Sequence, residues 1–184
     1  EKFKDNLNYL IKDLKVVEKG EKYYLKEMYE AETFIVKRFR LLSNKEEESF
    51  KNLDTLFKEM EDVFSISHKL SYEDMADRVA LLAPTGRAAK RMSDATMMPA
   101  ATIHRFLKWQ KETNKFQVNE YHKSNVELVI IDEASMIDTL LMASLLKGIS
   151  ANCKVILVGD AYQLPSVGPG QVLHDLIASQ KLPV

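Results

Sequence analysis

The chain has 184 residues, of which 46% are hydrophobic and 29% charged, with a formal net charge of −1. This length fits one compact domain, or a small domain with an appendage, and the charge excludes a globally basic surface, so any nucleic-acid contact must be local. The single cysteine, Cys153, excludes an internal disulfide and a multi-cysteine metal site, and we expect a buried thiol. No apolar run reaches membrane-spanning length and no signal peptide opens the chain, so we expect a cytoplasmic location. Because the chain starts at Glu1 and stops at Val184, we expect both ends to be cuts through a longer protein.

The first third of the chain has a helical pattern. Apolar residues recur at helical spacing in three stretches, over residues 7–14, 22–42 and 50–63. Ser43 and Asn44 break the pattern between the second and third stretches. Residues 1–64 are therefore predicted to be a small N-terminal helical region whose charges lie on solvated faces and which carries no catalysis.

From about residue 68 the pattern changes to strands that alternate with helices. The predicted elements are strand 79–83, turn 84–86, a helix opening at 87–92, a short helix at 101–109, a possible hairpin strand at 116–118, strand 128–131, helix 138–148, strand 154–158 and helix 171–179. This alternation predicts an α/β domain over residues 68–184, with a parallel sheet covered by helices on both faces.

Two adjacent carboxylates follow the buried strand 128–131. Asp132 and Glu133 stand where open α/β sheets place their ligand chemistry, at the carboxyl end of a strand. One such acid can hold Mg²⁺, usually through water, and the other can orient or deprotonate an attacking water. The alternative is an acidic helix N-terminus, in which the carboxylates complement the helix dipole and Ser135 and Asp138 act as caps.

A second polar loop follows strand 154–158. Gly159 and Asp160 would let the backbone pass close to a ligand, and the Gln163 side chain offers both a donor and an acceptor, as a sensor of a terminal phosphate must. Residues 168–170 predict a turn. The alternative is a plain loop built from turn residues.

Two further motifs carry groups that can grip phosphate. The corner at 83–91 has a hydroxyl, free backbone amides and three cations, of which Arg87 lies in the turn, while Lys90 and Arg91 fit a solvated helix face equally well. Residues 102–106 place the Thr102 hydroxyl and the His104 imidazole beside an aromatic ring, where they could hold phosphate or stack a base. A structural histidine is the alternative, and Trp109 fits a core anchor better than a base platform.

Together these motifs resemble the RecD-like branch of superfamily 1 DNA helicases, which includes the exodeoxyribonuclease V alpha subunit. The resemblance is carried by APTGRAAKRM at 83–92, TIHRFL at 102–107, VIIDEASMID at 129–138 and ILVGDAYQLPSVGPGQVLHDLIAS at 156–179. It implies an incomplete RecA-like P-loop NTPase motor domain, preceded by a small helical region. The implied activity is ATP-driven 5′ to 3′ translocation on single-stranded DNA and duplex unwinding in repair and recombination. Other subunits of an exodeoxyribonuclease V-type complex are possible partners.

The resemblance also implies the roles of individual residues. Asp132 would hold Mg²⁺, Glu133 would be the general base for water attack, and Gln163 would read the γ-phosphate of ATP, with Asp160 supporting its loop. The DNA backbone would be contacted by Pro84, Thr85, Arg87, Thr102 and His104.

The chain departs from the family pattern at the phosphate-binding loop. The family carries G-x-x-x-x-G-K-[ST] ahead of APTGRA, and none of the six glycines here is followed by Lys-Ser or Lys-Thr. We expect the missing residues to belong between about Met60 and Tyr72. Three hypotheses follow: the loop exists in the parent helicase, the chain is an ATPase-inactive module that binds DNA or a partner subunit, or it is a structural fragment without activity in isolation. We expect the parent protein to be a helicase and the 184 residues alone to be inactive.

Overall fold

The computed structural model describes residues 2–46, 78–163 and 165–182. In chain order they form α1 (Lys2–Lys12), β1 (Val16–Lys19), β2 (Lys22–Leu25), α2 (Lys26–Glu46), β3 (Val79–Ala83), α3 (Gly86–Thr96), β4 (Ala100–Thr102), α4 (Ile103–Phe106), β5 (Trp109–Gln110), β6 (Lys115–Phe116), β7 (Leu128–Ile131), a 3-10 turn (Ala134–Met136), α5 (Thr139–Gly148), β8 (Lys154–Leu157) and α6 (Val172–Ala178). The third helical pattern, over 50–63, and the expected place of the phosphate-binding loop lie outside the described residues.

A four-stranded parallel sheet with the order β4-β3-β7-β8 is the centre of the fold. The register sets Ala83 opposite Thr102, Leu82 opposite Ile131, and Ile131 opposite Leu157. The predicted parallel sheet is thereby confirmed, and all four strands end at one edge. The short helix expected over 101–109 is wrong in part, because residues 100–102 extend beside β3 and only Ile103–Phe106 is helical.

Helices cover both faces of the sheet. On one face, Leu82 and Ile131 belong to the main core together with Met142 and Leu145 of α5. On the other face, Ala83 packs with Ala88 and Ala89 of α3 in a small separate cluster. Successive strand residues point to opposite faces, which explains why every residue from Ala80 to Ala83 is buried.

Helix α2 joins the same main core. Its residues Ala31, Ile35 and Phe39 recur at helical spacing and are buried with the sheet residues. The helix continues through Ser43 and Asn44 to Glu46, so the predicted break there is wrong. Ser and Asn have only moderately weaker helix propensity than Ala, and such a pair does not by itself end a helix.

A β-hairpin precedes α2, where the helical pattern was expected to begin at residue 22. β1 and β2 pair antiparallel, with Lys19 opposite Lys22 and Gly20 in the left-handed conformation at φ +61°. Glycine adopts this conformation without the steric cost of a Cβ, which suits a two-residue hairpin turn. Within the described ranges no helix is long and apolar enough to cross a membrane. The boundary between residues 64 and 68 stays a prediction.

Candidate nucleotide and nucleic-acid site

The motifs singled out from the sequence line one edge of the parallel sheet. Because β4, β3, β7 and β8 are neighbours in that order, the segments that follow them lie side by side at their carboxyl ends. Thr102 is the last residue of β4, and His104 lies just after it. Thr85 and Arg87 follow β3. The remaining candidates follow the other two strands, Asp132 and Glu133 after β7 and Asp160 and Gln163 after β8.

The carboxylate pair is held in a bent backbone. The Asp132 N–H donates to the carbonyl of Leu82 (2.9 Å), which continues the sheet pairing by one residue. Asp132 Oδ1 then accepts from the N–H of Glu133 (2.8 Å), and Glu133 is left-handed at φ +52°. A non-glycine residue in this region is uncommon and is often found at functional sites. Among the described residues Asp132 Oδ2 has no hydrogen-bond partner, so it is free for a cation or its water.

Glu133 and Gln163 meet in an open groove. The groove has a volume of about 400 Å³ and is also lined by Ser135 and Met136. Asp160 organises the loop on the far side, because its Oδ1 accepts from the N–H of Tyr162 (2.9 Å) and its Oδ2 accepts from Gln163 Nε2 (3.3 Å). The Gln163 amide nitrogen is thus engaged, and its oxygen points to no partner within the described residues.

Gly159 packs closely against the backbone of the 3-10 turn. A Cβ at this position would lie 2.9 Å from the Ala134 nitrogen and 3.2 Å from the Ser135 nitrogen. The loop after β8 crosses the 3-10 turn here, and the Ala134 N–H donates to the carbonyl of Val158 (2.9 Å). Gly159 therefore has a packing role, and a close approach of its backbone to a ligand stays a prediction.

The far end of the same loop is anchored on the start of α5. Asp138 caps this helix, with Oδ1 accepting from the N–H of Leu141 (2.8 Å), as the capping alternative predicted. The Thr139 N–H donates to the carbonyl of Pro169 (3.1 Å), and Gly170 is left-handed at φ +99°. The predicted turn at 168–170 thus fixes the loop that carries Gln163.

The hydroxyls of Thr85 and Thr102 cap the two helices that follow β3 and β4. Thr85 Oγ1 accepts from the N–H of Ala88 (3.2 Å), and Thr102 Oγ1 accepts from the N–H of Arg105 (3.2 Å). Each hydroxyl keeps its own proton for donation to a phosphate oxygen. Pro84 precedes the first cap, and Arg87 is exposed in the first turn of α3.

His104 belongs to a small surface aromatic cluster that the sequence did not predict. Its ring centroid lies 5.7 Å from that of Phe116 and 6.2 Å from that of Trp109, and the latter two are 4.7 Å apart. Trp109 is 40% exposed, so its assignment as a core anchor is wrong. The short β5-β6 hairpin, which pairs Trp109 with Phe116, holds the indole at the surface.

An ion pair connects the helix that follows β3 with the segment that follows β7. Arg91 of α3 donates through Nη2 to Oε1 of Glu133. The sequence left Arg91 open between a solvated face and a ligand contact. No local pattern signals this pair, because its partners are 42 residues apart.

Cys153 is a buried thiol, as predicted. Burial raises its pKa to about 11, an effect that the nearby positive charge of Arg38 partly offsets. A thiol of this kind is unreactive at neutral pH.

The chain is similar in sequence to several known proteins. The sequence model of a family described as AAA domain matches residues 56–169. The ATP-dependent RecD2 DNA helicase of Deinococcus radiodurans is 40% identical over 98 residues, which cover 53% of this chain and 13% of that protein. The RecBCD enzyme subunit RecD of Mycolicibacterium smegmatis is 34% identical over 117 residues, covering 54% of this chain and 21% of that protein.

Two further similarities are to a mouse protein and to a solved structure. DNA helicase B of Mus musculus is 34% identical over 116 residues, covering 59% of this chain and 10% of that protein. Among solved structures, unliganded Pif1 from Bacteroides sp matches 58% of this chain and 28% of that one, with 24% identity and a TM-score of 0.35. The chain spans between a tenth and about a fifth of the length of these curated relatives.

The family match covers more than half of the chain, which therefore belongs to the AAA domain family. Its parallel sheet is that of a RecA-like P-loop NTPase motor domain, and the chain is a fragment similar to the RecD-like helicases of superfamily 1.

Proposed function

We propose that the chain is part of an ATP-dependent DNA helicase that translocates 5′ to 3′ on single-stranded DNA during repair and recombination. The observation that carries the proposal is the division of one sheet edge into two halves. Candidate DNA contacts follow β4 and β3, and candidate ATP-hydrolysis groups follow β7 and β8. Since β3 and β7 are hydrogen-bonded neighbours, a shift in one half reaches the other through a single strand pair.

On the ATP half, Glu133 is the general base that takes a proton from the attacking water. Gln163 lines the same groove and contacts the terminal phosphate through its side-chain amide. Its Nε2 donates to Asp160, which holds the loop in place. Asp132 fits a magnesium role because its Oδ2, at the strand end, has no hydrogen-bond partner among the described residues. Bound Mg²⁺ neutralises phosphate charge during hydrolysis.

A phosphate-binding loop is needed to hold the nucleotide beside these groups. Within the described residues β8 pairs only with β7, so its outer edge is open to a further strand. A parallel strand there would end next to Gly159 and Gln163, where such a loop would meet the groove. We assign the loop to the full-length protein, since its sequence pattern does not occur in these residues.

On the DNA half, the backbone phosphates bind along the β3 and β4 ends. Thr85 and Thr102 donate hydroxyl protons, Arg87 supplies charge, and Pro84 shapes the corner. His104 contributes an imidazole edge or a stacking surface next to Trp109. Such contacts read the backbone and not the base sequence, which suits a translocating enzyme.

A second candidate is a module that binds DNA or a partner subunit without hydrolysing ATP. The name of the relative in Mycolicibacterium smegmatis describes a RecBCD subunit, so partner subunits of that kind are candidates here as well. The retained Asp132, Glu133 and Gln163 disfavour this candidate, because a module without ATP chemistry gains nothing from polar side chains converging on one groove. A cytoplasmic location fits a chromosomal DNA substrate.

Strand unwinding by the full-length protein tests the proposal. Two duplexes should be compared, one with a 5′ single-stranded tail and one with a 3′ tail, each with ATP and Mg²⁺. We expect unwinding of the 5′-tailed duplex only, and none with a non-hydrolysable ATP analogue. Unwinding from the 3′ tail would contradict the direction, and DNA binding without unwinding or ATP turnover would favour the second candidate.

A further inference from the structure

The side chain of Glu133 is engaged by a neighbouring guanidinium. Arg91 Nη2 donates to Glu133 Oε1, and no other charged side chain in the described residues pairs with this glutamate. A carboxylate oxygen that accepts from a guanidinium is less available to take a proton from water. Since the Arg91 side chain is 63% exposed, it can leave this position without opening the core.

Arg91 is also one helical turn from the proposed phosphate contact. Arg87 and Arg91 are four residues apart on α3, so they share a face and their Cβ atoms are roughly 6 Å apart. The buried Ala88 and Ala89 fix this helix to Ala83 at the end of β3. An exchange of the Arg91 guanidinium between partners is therefore a side-chain movement on a fixed helix.

We propose that Arg91 is a positioning residue that exchanges between Glu133 and a nucleic-acid backbone phosphate held at the Arg87 corner. The inference rests on the proposed function and extends it. Without DNA the guanidinium restrains the general base. A phosphate at the corner competes for the guanidinium, because it offers several anionic oxygens in bidentate geometry. DNA binding then releases Glu133 toward the groove that it shares with Gln163.

A second arginine–glutamate ion pair provides a control for the loss of these charges. Arg78 Nη2 and Glu127 Oε2 are 2.6 Å apart, immediately before β3 and β7. This ion pair joins the residues that precede β3 and β7, so it lies at the amino ends of these strands, opposite to Glu133 at the carboxyl end of β7. Its loss should have no effect on nucleotide chemistry or on DNA binding at the carboxyl ends.

Thermodynamic reciprocity gives a test that needs no ATP hydrolysis. If Arg91 is shared, removing the charge of Glu133 must strengthen DNA binding by freeing the guanidinium. The measurement is the affinity of the full-length protein for a fluorescent oligothymidylate, without nucleotide, in a double-mutant cycle. We expect Glu133→Gln to tighten binding about fivefold in the wild-type background and by less than about twofold in the Arg91→Ala background. Glu127→Gln should leave the affinity unchanged.

ATP turnover gives a second readout. Arg91→Ala should raise the DNA-free kcat several-fold and reduce the ratio of DNA-stimulated to DNA-free turnover, with the KM for ATP unchanged. Arg91→Lys should restore part of the restraint, and Arg78→Ala should behave as wild type.

The outcomes separate this inference from the proposed function. Equal tightening by Glu133→Gln with and without Arg91 would mean a general loss of negative charge and would overturn the exchange. An unchanged affinity with Arg91 present would overturn it as well, while leaving the helicase assignment intact. A wild-type protein that binds no oligothymidylate would overturn both.

Discussion

Arg38 of α2 donates from Nη1 to the carbonyl of Ala151, 113 residues further along the chain, at 2.9 Å. A second donation, from Nη2, reaches the carbonyl of Ser150. These carbonyls follow the C-terminal end of α5, where the helix dipole is negative and the last carbonyls lack helical partners. One buried guanidinium therefore fastens α2 to the segment that follows α5, the helix that packs on one face of the parallel sheet.

Removing this guanidinium should destabilise the fold. Arg38→Met keeps much of the side-chain volume but leaves two carbonyls without a donor, and we expect a loss of about 2 kcal/mol in the free energy of unfolding. The measurement is a urea denaturation midpoint. The matched control, Arg40→Met, changes an exposed arginine two residues away and should stay within about 0.5 kcal/mol of wild type. Equal stability of the two variants would show that the Arg38 contacts contribute nothing.

Arg87 is expected to contribute one phosphate contact. Arg87→Ala should weaken binding of single-stranded DNA and lower the slope of log K against log salt concentration by about 0.7, the value for one phosphate on a single strand. Titrations of labelled oligothymidylate at several salt concentrations measure both quantities. If the affinity decreases but the slope does not, Arg87 acts by shaping the corner and not by contacting phosphate.

Gly159 should not tolerate a side chain. The methyl group of Gly159→Ala would stand against the backbone nitrogens of Ala134 and Ser135, neither of which can move without disturbing the 3-10 turn. We expect a destabilisation of about 1–3 kcal/mol, measured by thermal or urea denaturation. Gly86→Ala is the control, because a Cβ there meets nothing within 4 Å. A Gly159→Ala variant as stable as Gly86→Ala would mean that the loop relaxes freely.

Cys153 makes stability depend on pH in the alkaline range. Its folded-state pKa of about 11 is above the ordinary value of 9.0, so the unfolded chain releases this proton first. The associated stability is fully present below about pH 9 and is lost as the pH rises through about 11. Between about pH 8 and pH 10.5, the urea midpoint of wild type should therefore fall more than that of Cys153→Ala. Parallel pH dependences would contradict a buried, neutral thiol.

The parallel sheet was predictable because its strands are short apolar runs followed directly by polar motifs. Leu128–Ile131 lies between Glu127 and Asp132, and Lys154–Leu157 is followed by Val158 and then Gly159, so both apolar runs are too short for amphipathic helices. The hairpin at β1-β2 was missed because Tyr24 and Leu25 also fit the helical period that continues through α2. In that segment the left-handed turn at Gly20 favours a hairpin, and the spacing of apolar residues does not predict such a turn.

The candidate site was predictable in its position but not in its internal contacts. Strand order brings Glu133 and Gln163 into one groove, as expected of neighbouring strand ends. The pairing of Arg91 with Glu133 depends on side-chain rotamers across 42 residues of separation, and the exposure of Trp109 depends on a two-residue strand. Neither leaves a periodic signal in the sequence.

DNA-stimulated ATP hydrolysis by the full-length protein, compared between wild type and Glu133→Gln, tests the central claim most directly. Glutamine keeps the size of the side chain but cannot accept a proton from water, so kcat should fall by about 10²–10⁴-fold while ATP binding persists. Glu127→Gln, at the opposite edge of the sheet, should turn over ATP as wild type does. Undiminished turnover by Glu133→Gln would contradict the assignment of Glu133 as the general base.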